Sequence, residues 1–587
     1  MKQFLITVGG VLAGLALFTF AIIFMLVGAI SSIAAHKTPA PQRAVLELDL
    51  REPMTDQRAQ NPLAALNRSS QSLLETLAKI DAARTDSSIK GIYVRANSAG
   101  MAASQAEEIR SALRAFRQSG KFVVAHLQND GVRQSIAGYA AVAGADELWL
   151  QAASELQPMG LAAEMQFFAD TLRRFHMRAE FVTREEYKTA PNILTQSDFT
   201  PAHREETLGL LNSLYGWMVR AIAADRKLSV QAARAAIEAT PMTAQQAVAA
   251  KLVDRLGRPE DAEKAALDRA GEGAALLNMD EYQPRPPLSG PVIAVVGGEG
   301  DIVSGPQRVS PLSDGQVMNS DIVARALLDA ADDDDVKASV FRVSSRGGSV
   351  VASDQILNAL RTTRARGKKV VVSMGEYAAS GGYYVAADAD EILASATTIT
   401  GSIGVFGGKI VIGPALDHYA SVHSQTLSAG SPLVTMFSAN EGFSDRERAA
   451  FTGTIDRAYQ GFLALVAQGR GLTPAQTREI ARGRVWTGEQ AKERRLVDHI
   501  GGFQAALARA RALGGVAADA TVRLRYFPAE KSFPEQLQAL FGGAADGAEG
   551  LATIALLTHD PRFVEALAAL SAPEGQAAAR APLMEAR

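Results

Sequence analysis

The chain has 587 residues, of which 47% are hydrophobic and 21% charged, so it exceeds one ordinary domain and can bury large cores. Its formal net charge of -3 offers no basic footprint for nucleic acid, and we expect no nucleic-acid partner. It contains no cysteine, which excludes disulfides, thiolate catalysis, iron–sulfur clusters and cysteine zinc sites.

The first predicted element is a transmembrane helix at residues 4–35, a run without any charged residue. About 20 apolar residues span a bilayer, so this run is long enough even when tilted. The alternative is a cleaved secretory signal, whose apolar core is shorter, about 7–15 residues. The length favours an uncleaved membrane anchor, while the charges on its two sides leave the orientation open.

The remainder of the chain contains an internal duplication. Residues 243–257 match residues 487–501 at an offset of 244, and further upstream the offset becomes 247, which pairs Arg95 with Arg342. One register held over so much chain indicates two copies of one domain. The predicted parts after the anchor are a first repeat at 44–275, a linker at 276–290, a second repeat at 291–515 and a C-terminal tail at 516–587.

Each repeat alternates short β-branched runs with amphipathic stretches, which predicts an α/β fold of βαβ units around a mainly parallel sheet. Long helices are predicted at the equivalent positions 204–226 and 446–468. The predicted strands of the second repeat, with one more that opens the tail, are 292–296, 339–343, 370–374, 391–394 and 522–527.

Common catalytic motifs are absent from the sequence. There is no Walker loop, no His-Glu-x-x-His and no Gly-x-Ser-x-Gly, and the eight histidines form no recognisable triad pattern. The acidic run Asp332–Asp335 is interpreted as a solvated turn before a strand rather than as a cation site. We therefore predict neither a metal nor a cofactor.

Ser380 lies where an apolar strand meets a helix of small residues. By itself such a serine is more often a helix cap or a filler than a nucleophile. Glycines follow it, however, and N–H groups at a helix start point toward developing negative charge. A second glycine-rich turn, at 344–349, follows the carboxyl end of another strand, where ligands bind in open α/β sheets. The two turns together are suited to acyl transfer.

Three blocks carry a resemblance to a known family: Arg342-Val-Ser-Ser-Arg-Gly-Gly-Ser, Ala379-Ser-Gly-Gly-Tyr-Tyr and Thr400-Gly-Ser-Ile-Gly-Val-Phe. They resemble signal peptide peptidase A, also called protease IV, in its long, duplicated, membrane-anchored form. The resemblance covers nearly the whole chain. It implies two tandem repeats of a crotonase- or Clp-protease-like domain and a serine peptidase with a Ser/Lys dyad.

Carried over by motif, the resemblance implies Ser380 as the nucleophile and Lys188, in Glu186-Tyr-Lys-Thr-Ala, as the general base. Ser402 falls where the family has a serine that hydrogen-bonds the lysine. The implied oxyanion donors are backbone N–H groups of Gly381 and of Gly347 or Gly348.

Two positions depart from the family pattern. Arg346 stands where the family usually has proline, and residues 191–194 after the lysine motif also differ.

The same resemblance implies the biological setting. The expected substrates are cleaved signal peptides and other short apolar peptides. The expected location is the bacterial inner membrane, with the N-terminal helix in the lipid bilayer and the catalytic body in the periplasm. The expected assembly is a homotetramer.

The duplication supports a shared site independently of the resemblance. The position 244 residues before Ser380 is Ile136, and the position 244 residues after Lys188 is Pro432. Isoleucine cannot act as a nucleophile and proline cannot act as a base, so each repeat carries one member of the dyad. The sequence predicts one active site built from both repeats.

Two alternatives remain at this point: a crotonase-like acyl-CoA enzyme and a non-enzymatic membrane scaffold. The peptidase hypothesis makes a structural demand, because an ordinary lysine with a pKa near 10.4 cannot accept the serine proton. Lys188 must be buried, with Glu185 and Glu186 pointing away and no carboxylate paired with it.

Overall fold

The computed structural model describes residues 41–57, 71–96, 101–128, 135–285, 287–305, 316–518 and 520–529. Within these residues no helix is long and apolar enough to cross a membrane. The predicted transmembrane helix at 4–35 and most of the predicted tail lie outside the described residues.

The first half of the chain alternates strands and helices as the sequence predicts. Its strands are β1 (Ala44–Asp49), β2 (Met54–Thr55), β3 (Gln71–Ser72), β4 (Ile89–Ala96), β5 (Phe122–Leu127), β6 (Glu147–Leu150), β7 (Glu155–Leu156), β8 (Arg178–Thr183), β9 (Met242–Thr243), β10 (Arg255–Leu256) and β11 (Ala275–Asn278). Its helices are α1 (Leu73–Thr85), α2 (Ala103–Gln118), α3 (Ile136–Val142), α4 (Ala169–Arg174), α5 (Asn192–Thr195), α6 (Pro201–Arg226), α7 (Val230–Glu238), α8 (Ala244–Ala249) and α9 (Pro259–Ala270).

The second half repeats this pattern and adds a strand from the start of the tail. Its strands are β12 (Val292–Glu299), β13 (Asp301–Val303), β14 (Val317–Asn319), β15 (Val336–Ser345), β16 (Lys369–Ala379), β17 (Glu391–Ala394), β18 (Ile399–Gly401), β19 (Phe406–Val411), β20 (Val485–Thr487), β21 (His499–Ile500) and β22 (Arg523–Phe527). Its helices are α10 (Ser320–Asp332), α11 (Val350–Ala365), α12 (Gly381–Tyr384), α13 (Gly413–Ala420), α14 (Asp445–Arg470), α15 (Pro474–Ile480), α16 (Gly488–Glu493) and α17 (Phe503–Leu513).

Each half is built on its own sheet. The first sheet has the order β10-β6-β5-β4-β1-β11 and is parallel throughout. The second has the order β20-β18-β16-β15-β12-β22, with β17 and β21 branching from β16, and its only antiparallel pair among the described strands is β18 with β20. The predicted mainly parallel sheets are confirmed, because apolar strands buried on both faces need helical crossovers.

The duplication is visible in the atoms as well as in the sequence. Helices α2 and α11 have matching bounds at an offset of 247 residues, and α6 and α14 match at an offset of 244. The buried Tyr139 hydroxyl donates to the carbonyl of Leu252 at 2.7 Å, and its counterpart Tyr383 donates to Leu496 at 2.9 Å. The two halves therefore have equivalent helices and an equivalent buried hydrogen bond.

The halves are joined by a common core and by buried charge. Apolar side chains from both sheets pack into one cluster. The fully buried Arg342 of β15 donates from Nη2 to the carboxylates of Asp56, at 2.5 Å, and Glu108, at 2.7 Å, both in the first half. The carboxylates accept from Nε and Nη2 of Arg342, while Nη1 donates to Ser373 Oγ and to the Met374 carbonyl. Separation of the halves would therefore break two fully buried ion pairs.

One further pairing crosses between the halves. Strand β8 of the first half runs antiparallel to β19 of the second, with Phe406 opposite Thr183 and Val411 opposite Arg178. This two-stranded ribbon leads the chain after β8 toward the second sheet.

Candidate active site

Ser380 lies between β16 and α12, at the carboxyl end of a central parallel strand. Its backbone has φ 54° and ψ −117°, an unusual conformation for a residue other than glycine, and its N–H donates to the carbonyl of Gly401 at 2.8 Å. Strain of this kind costs about 1–3 kcal/mol and persists where the surrounding structure enforces it. The half-buried side chain is presented on a sharp strand-to-helix turn.

Lys188 reaches Ser380 from the other half of the chain. It follows β8, and the loop that carries it is held by the second half, because the N–H of Tyr187 donates to the carbonyl of Arg482 at 3.2 Å. Gly483 (φ 78°) packs directly on the lysine backbone, since a Cβ there would lie 2.5 Å from Lys188 N. Only glycine fits so close an approach.

The structure brings three predicted residues together. Lys188 Nζ lies 3.0 Å from Ser380 Oγ, 2.9 Å from Ser402 Oγ and 2.9 Å from the Ser402 carbonyl oxygen. Both serines and the lysine belong to one chain. The amine is thus held by two oxygens of Ser402 while it faces the hydroxyl of Ser380.

The surroundings of Lys188 favour its neutral form. The side chain is 5% exposed, and burial lowers its pKa to about 7. No carboxylate forms an ion pair with Lys188 among the described residues, in line with the demand made by the sequence. Glu186 instead forms an ion pair with Arg482. The charge of Glu185 acts on Tyr459, where burial and this charge raise the pKa of the tyrosine hydroxyl.

Sequence reasoning missed one acidic residue near the lysine. Glu206 of α6 is 6% exposed, and burial raises its pKa to about 8, while its negative charge opposes the lowering of the Lys188 pKa. The available signal was its position, because Glu206, Leu210 and Leu214 follow one another at four-residue spacing on the buried face of α6.

The two glycine-rich turns pack against each other. A Cβ on Gly381 would lie 2.7 Å from Ser353 Oγ and 3.1 Å from Gly348 N, so the glycines allow close contact between the turns. The N–H of Gly347 donates to Ser345 Oγ at 3.1 Å. Among the described residues no acceptor is found for the N–H groups of Gly348 and Gly381. The geometry thus favours Gly348 over Gly347 as the second oxyanion donor.

The two departures from the family pattern have local explanations. The Arg346 guanidinium lies 4.4 Å from the centre of the Tyr377 ring, a cation–π contact that proline could not make. Pro191 precedes the short helix α5, where the fixed φ of proline suits a helix start.

This arrangement contains the parts that acyl transfer needs. A hydroxyl faces a buried amine whose pKa is lowered to about 7, and the adjoining turns carry two N–H groups for which the described residues offer no acceptor. Ser380 and Ser402 directly follow strands, Lys188 lies on the loop after β8, and the two N–H groups lie on glycine-rich turns.

Comparison with known proteins agrees with this chemistry. The family model described as peptidase family S49 matches residues 115–271 and 362–517, one match in each half. "Protease 4" of Salmonella typhi is 34% identical over 457 residues, which cover 75% of this chain and 72% of that protein. A "putative signal peptide peptidase SppA" of Enterococcus faecium is 33% identical over 30% of this chain and 51% of its own length.

A solved ClpP1 variant from Listeria monocytogenes is 16% identical, with a TM-score of 0.24, over 36% of this chain and 94% of its own. A likeness at this TM-score carries no argument, so the crotonase- or Clp-like character of the repeats stays a prediction. The family match has more weight, because it occurs twice, in agreement with the duplication, and covers more than half of the chain. The chain belongs to peptidase family S49, in the group of protease 4 and signal peptide peptidase A, and is a serine peptidase.

Proposed function

We propose that this peptidase is a membrane-anchored endopeptidase that hydrolyses cleaved signal peptides and other short apolar peptides with Ser380 as nucleophile and Lys188 as general base. The observation that carries the proposal is the 3.0 Å separation between Lys188 Nζ and Ser380 Oγ at a buried lysine whose pKa is lowered to about 7.

The hydrogen bonds of Lys188 explain how it acts as a base. A neutral amine has two N–H groups and one lone pair. Its N–H groups donate to the Ser402 carbonyl oxygen and Ser402 Oγ, each 2.9 Å away, so the lone pair is left for the Ser380 hydroxyl. Ser402 thereby orients the amine without taking its lone pair.

The reaction then follows in two balanced stages. Ser380 Oγ bonds to the peptide carbonyl carbon as its proton passes to Lys188 Nζ, and the N–H groups of Gly348 and Gly381 stabilise the negative carbonyl oxygen. Collapse breaks the C–N bond, and the Lys188 ammonium gives its proton to the leaving amine. Water then gives a proton to Lys188 Nζ and attacks the acyl carbon; the C–Oγ bond breaks, the acid product leaves, and the Lys188 ammonium returns its proton to Ser380 Oγ.

Membership in a peptidase family favours this function over the two alternatives. An acyl-CoA enzyme of the crotonase type does not require a serine beside a neutral lysine, and a scaffold does not require a buried lysine that forms no ion pair within the described residues. Both alternatives fail to explain the strained backbone of Ser380.

The substrate and location are argued from the predicted N-terminal anchor and from a relative's name. A helix at 4–35 would keep the catalytic body at a bilayer surface, where spent signal peptides accumulate. A relative that is 33% identical over part of the chain is named a putative signal peptide peptidase. We place the helix in the bacterial inner membrane and the catalytic body in the periplasm.

The proposed homotetramer is supported by an asymmetry between the repeats. In one chain β8 pairs with β19 across the two halves. The segments equivalent to these strands by the offset of 244 are 422–427 and 162–167, and neither is paired in a strand among the described residues. Residues 422–427 are all exposed, including Leu427, which is 100% exposed. Residues 162–167 alternate between exposed and half-buried, as an edge strand does.

If residues 422–427 of one chain paired with residues 162–167 of the next, the contact would reproduce between chains the β8–β19 pairing seen within one chain. Such head-to-tail contacts form a closed ring when the rotation between neighbouring chains closes, and an open filament when it does not. Leu427→Asp should therefore dissociate the oligomer, measured by light scattering of the full chain in detergent. Leu288→Asp, at a leucine that is 99% exposed in the linker, is the control. An unchanged mass for Leu427→Asp would contradict this interface.

The function is tested with the full chain in detergent and two synthetic peptides of equal length, an apolar signal peptide and a polar peptide. We expect hydrolysis of the signal peptide at the higher kcat/KM and its loss in Ser380→Ala. Equal rates for both peptides would contradict the substrate class, and hydrolysis that persists in Ser380→Ala would contradict the site.

A further inference from the structure

A cavity of about 220 Å³ in the first repeat lies between α2, the end of α3 and the end of α6, and shares no residue with the candidate active site. Its lining is strongly cationic. Among the described residues that line it, the charged ones are Arg110, Arg114, Arg117 and Lys227, with Asp225 as the one acidic side chain.

Two of these cations are already neutralised. Arg110 binds Asp225 through two bonds of 2.5 and 2.9 Å, and Arg117 pairs with Asp146 at 2.6 Å. Arg114 and Lys227 are exposed, and no carboxylate pairs with either within the described parts of the chain. The cavity therefore has an excess of two positive charges.

The second repeat has the same arginine-to-carbonyl contact at the equivalent place, together with the carboxylate of Asp388. Arg117 donates to the carbonyl of Gly144 at 2.5 Å, and its counterpart Arg364 donates to the carbonyl of Asp388 at 2.5 Å. The Asp388 side chain then accepts from Arg361, at 2.7 Å, and from Arg364, at 3.2 Å. Arg361 is the counterpart of Arg114, so in the second repeat the equivalent arginine forms an ion pair with a carboxylate of the same repeat.

The first repeat has no side chain at the position equivalent to Asp388. The counterpart of Asp388 is Gly144, and a Cβ on Gly144 would lie 3.1 Å from Asp225 Cγ. Asp225 itself replaces Gly469 of the second repeat, and it binds Arg110 instead of Arg114. Lys227 also stands where the second repeat has an uncharged residue, Gly471. Asp225 and Arg110, whose counterpart in the second repeat is the uncharged Leu357, neutralise each other, so the net difference is the loss of the Asp388 anion and the gain of the Lys227 cation.

We propose that this cavity is a binding site for a phosphate group, supplied either as free inorganic phosphate or as a phosphomonoester head group. A carboxylate would neutralise one cation, as Asp388 does, whereas phosphate carries close to two negative charges at neutral pH and matches both Arg114 and Lys227. The planar guanidinium of Arg114 suits two parallel bonds to phosphate oxygens, and Lys227 supplies a point charge.

Isothermal titration of the full chain with inorganic phosphate, at constant ionic strength, tests the proposal. We expect one saturable site per chain. Arg114→Gln and Lys227→Asn should each weaken phosphate binding about tenfold or more, because each removes one of the two unpaired charges. Asparagine is chosen at 227 because that residue has φ 56°, which asparagine tolerates. Arg361→Gln, at the equivalent position of the second repeat, should leave phosphate binding unchanged.

Two further ligands distinguish the sources. Glycerol 3-phosphate binding more tightly than inorganic phosphate, with the same loss in Arg114→Gln, supports a phosphomonoester head group. Tighter binding of inorganic phosphate supports the free ion. Acetate binding as tightly as phosphate, no saturable binding, or binding that survives Arg114→Gln would each overturn the proposal.

Discussion

Ile136 and Ser380 occupy equivalent places in the two repeats, each at the start of a helix, but they differ in conformation and exposure. Ile136 is fully buried as the first residue of α3, after a serine cap of ordinary extended backbone. Ser380 is half-buried and has φ 54°. At this position the first repeat packs an apolar side chain, whereas the second has a strained and partly exposed serine. Duplication allows one copy to become a support for the site of the other.

The lysine shows the reverse difference. In the first repeat the chain after β8 carries Lys188 into the second half, while the equivalent segment of the second repeat, including Pro432, is exposed and irregular. Each repeat has thus kept one part of the site and lost the other. Substitutions at equivalent positions should therefore have very unequal effects.

The largest expected effect is at the nucleophile. Ser380→Ala should reduce kcat/KM for peptide hydrolysis on the order of 10⁶-fold, because no acyl-enzyme can form. Ser135→Ala, which removes the cap of the equivalent helix in the first repeat, should leave kcat/KM unchanged. Residual turnover in Ser380→Ala close to that of the unaltered chain would disprove the assignment.

The next effect is at the base. Lys188→Arg should fail as completely as Lys188→Met, with losses of about 10²–10⁴-fold in kcat, because a guanidinium stays charged and cannot accept the serine proton. Lys251→Arg, at an exposed lysine of the first repeat, is the control. Appreciable turnover in Lys188→Arg would show that the charge at 188 is structural.

Because Arg342 is buried in an ion-pair cluster between the halves and Arg95 is not, substitution of these equivalent arginines should lower the free energy of unfolding by unequal amounts. Arg342→Met leaves Asp56 and Glu108 buried without their partner and should lower the free energy of unfolding by about 3–5 kcal/mol. Its counterpart Arg95 is part-exposed and pairs with Glu47 at 3.3 Å, so Arg95→Met should cost about 0–1 kcal/mol. Denaturant unfolding measures both, and equal losses would contradict the role given to the buried cluster.

Ser402→Ala should have a milder effect on the reaction. It removes one of two oxygens that orient Lys188, but the carbonyl of residue 402 remains as an acceptor. We expect a loss of about tenfold in kcat with KM little changed. A loss as large as that of Lys188→Met would mean that the hydroxyl takes part in proton transfer.

The smallest effect concerns pH. Because the Lys188 pKa is lowered to about 7 and only the free amine is a base, kcat/KM should rise with pH through a midpoint near 7. The Glu206 charge favours protonated Lys188, so Glu206→Gln should move this midpoint to lower pH. The displacement should be less than about one pH unit, since Glu206, with a pKa raised to about 8, is mostly neutral at the midpoint. A displacement to higher pH would contradict the proposed coupling.

The sequence predicts much of this architecture, and the limits of that prediction are physical. Strands such as 391–394 and the two long helices follow from periodicity, and Ser380, Lys188 and Ser402 follow from motifs. The choice between Gly347 and Gly348 depends on which way a backbone N–H points, which sequence does not encode locally. The pairing of β8 with β19 and the approach of Glu206 to Lys188 depend on packing between distant segments. These could be found only in the folded chain.

The central claim is that Lys188 of the first repeat activates Ser380 of the second. The most direct measurement is the rate at which a fluorophosphonate labels Ser380 in the full chain as a function of pH, with the site identified by peptide mass. We predict labelling at Ser380 alone, at a rate that is half-maximal near pH 7, as the Lys188 pKa requires, and that is abolished in Lys188→Arg. Labelling at another serine, or an unchanged rate in Lys188→Arg, would contradict the account.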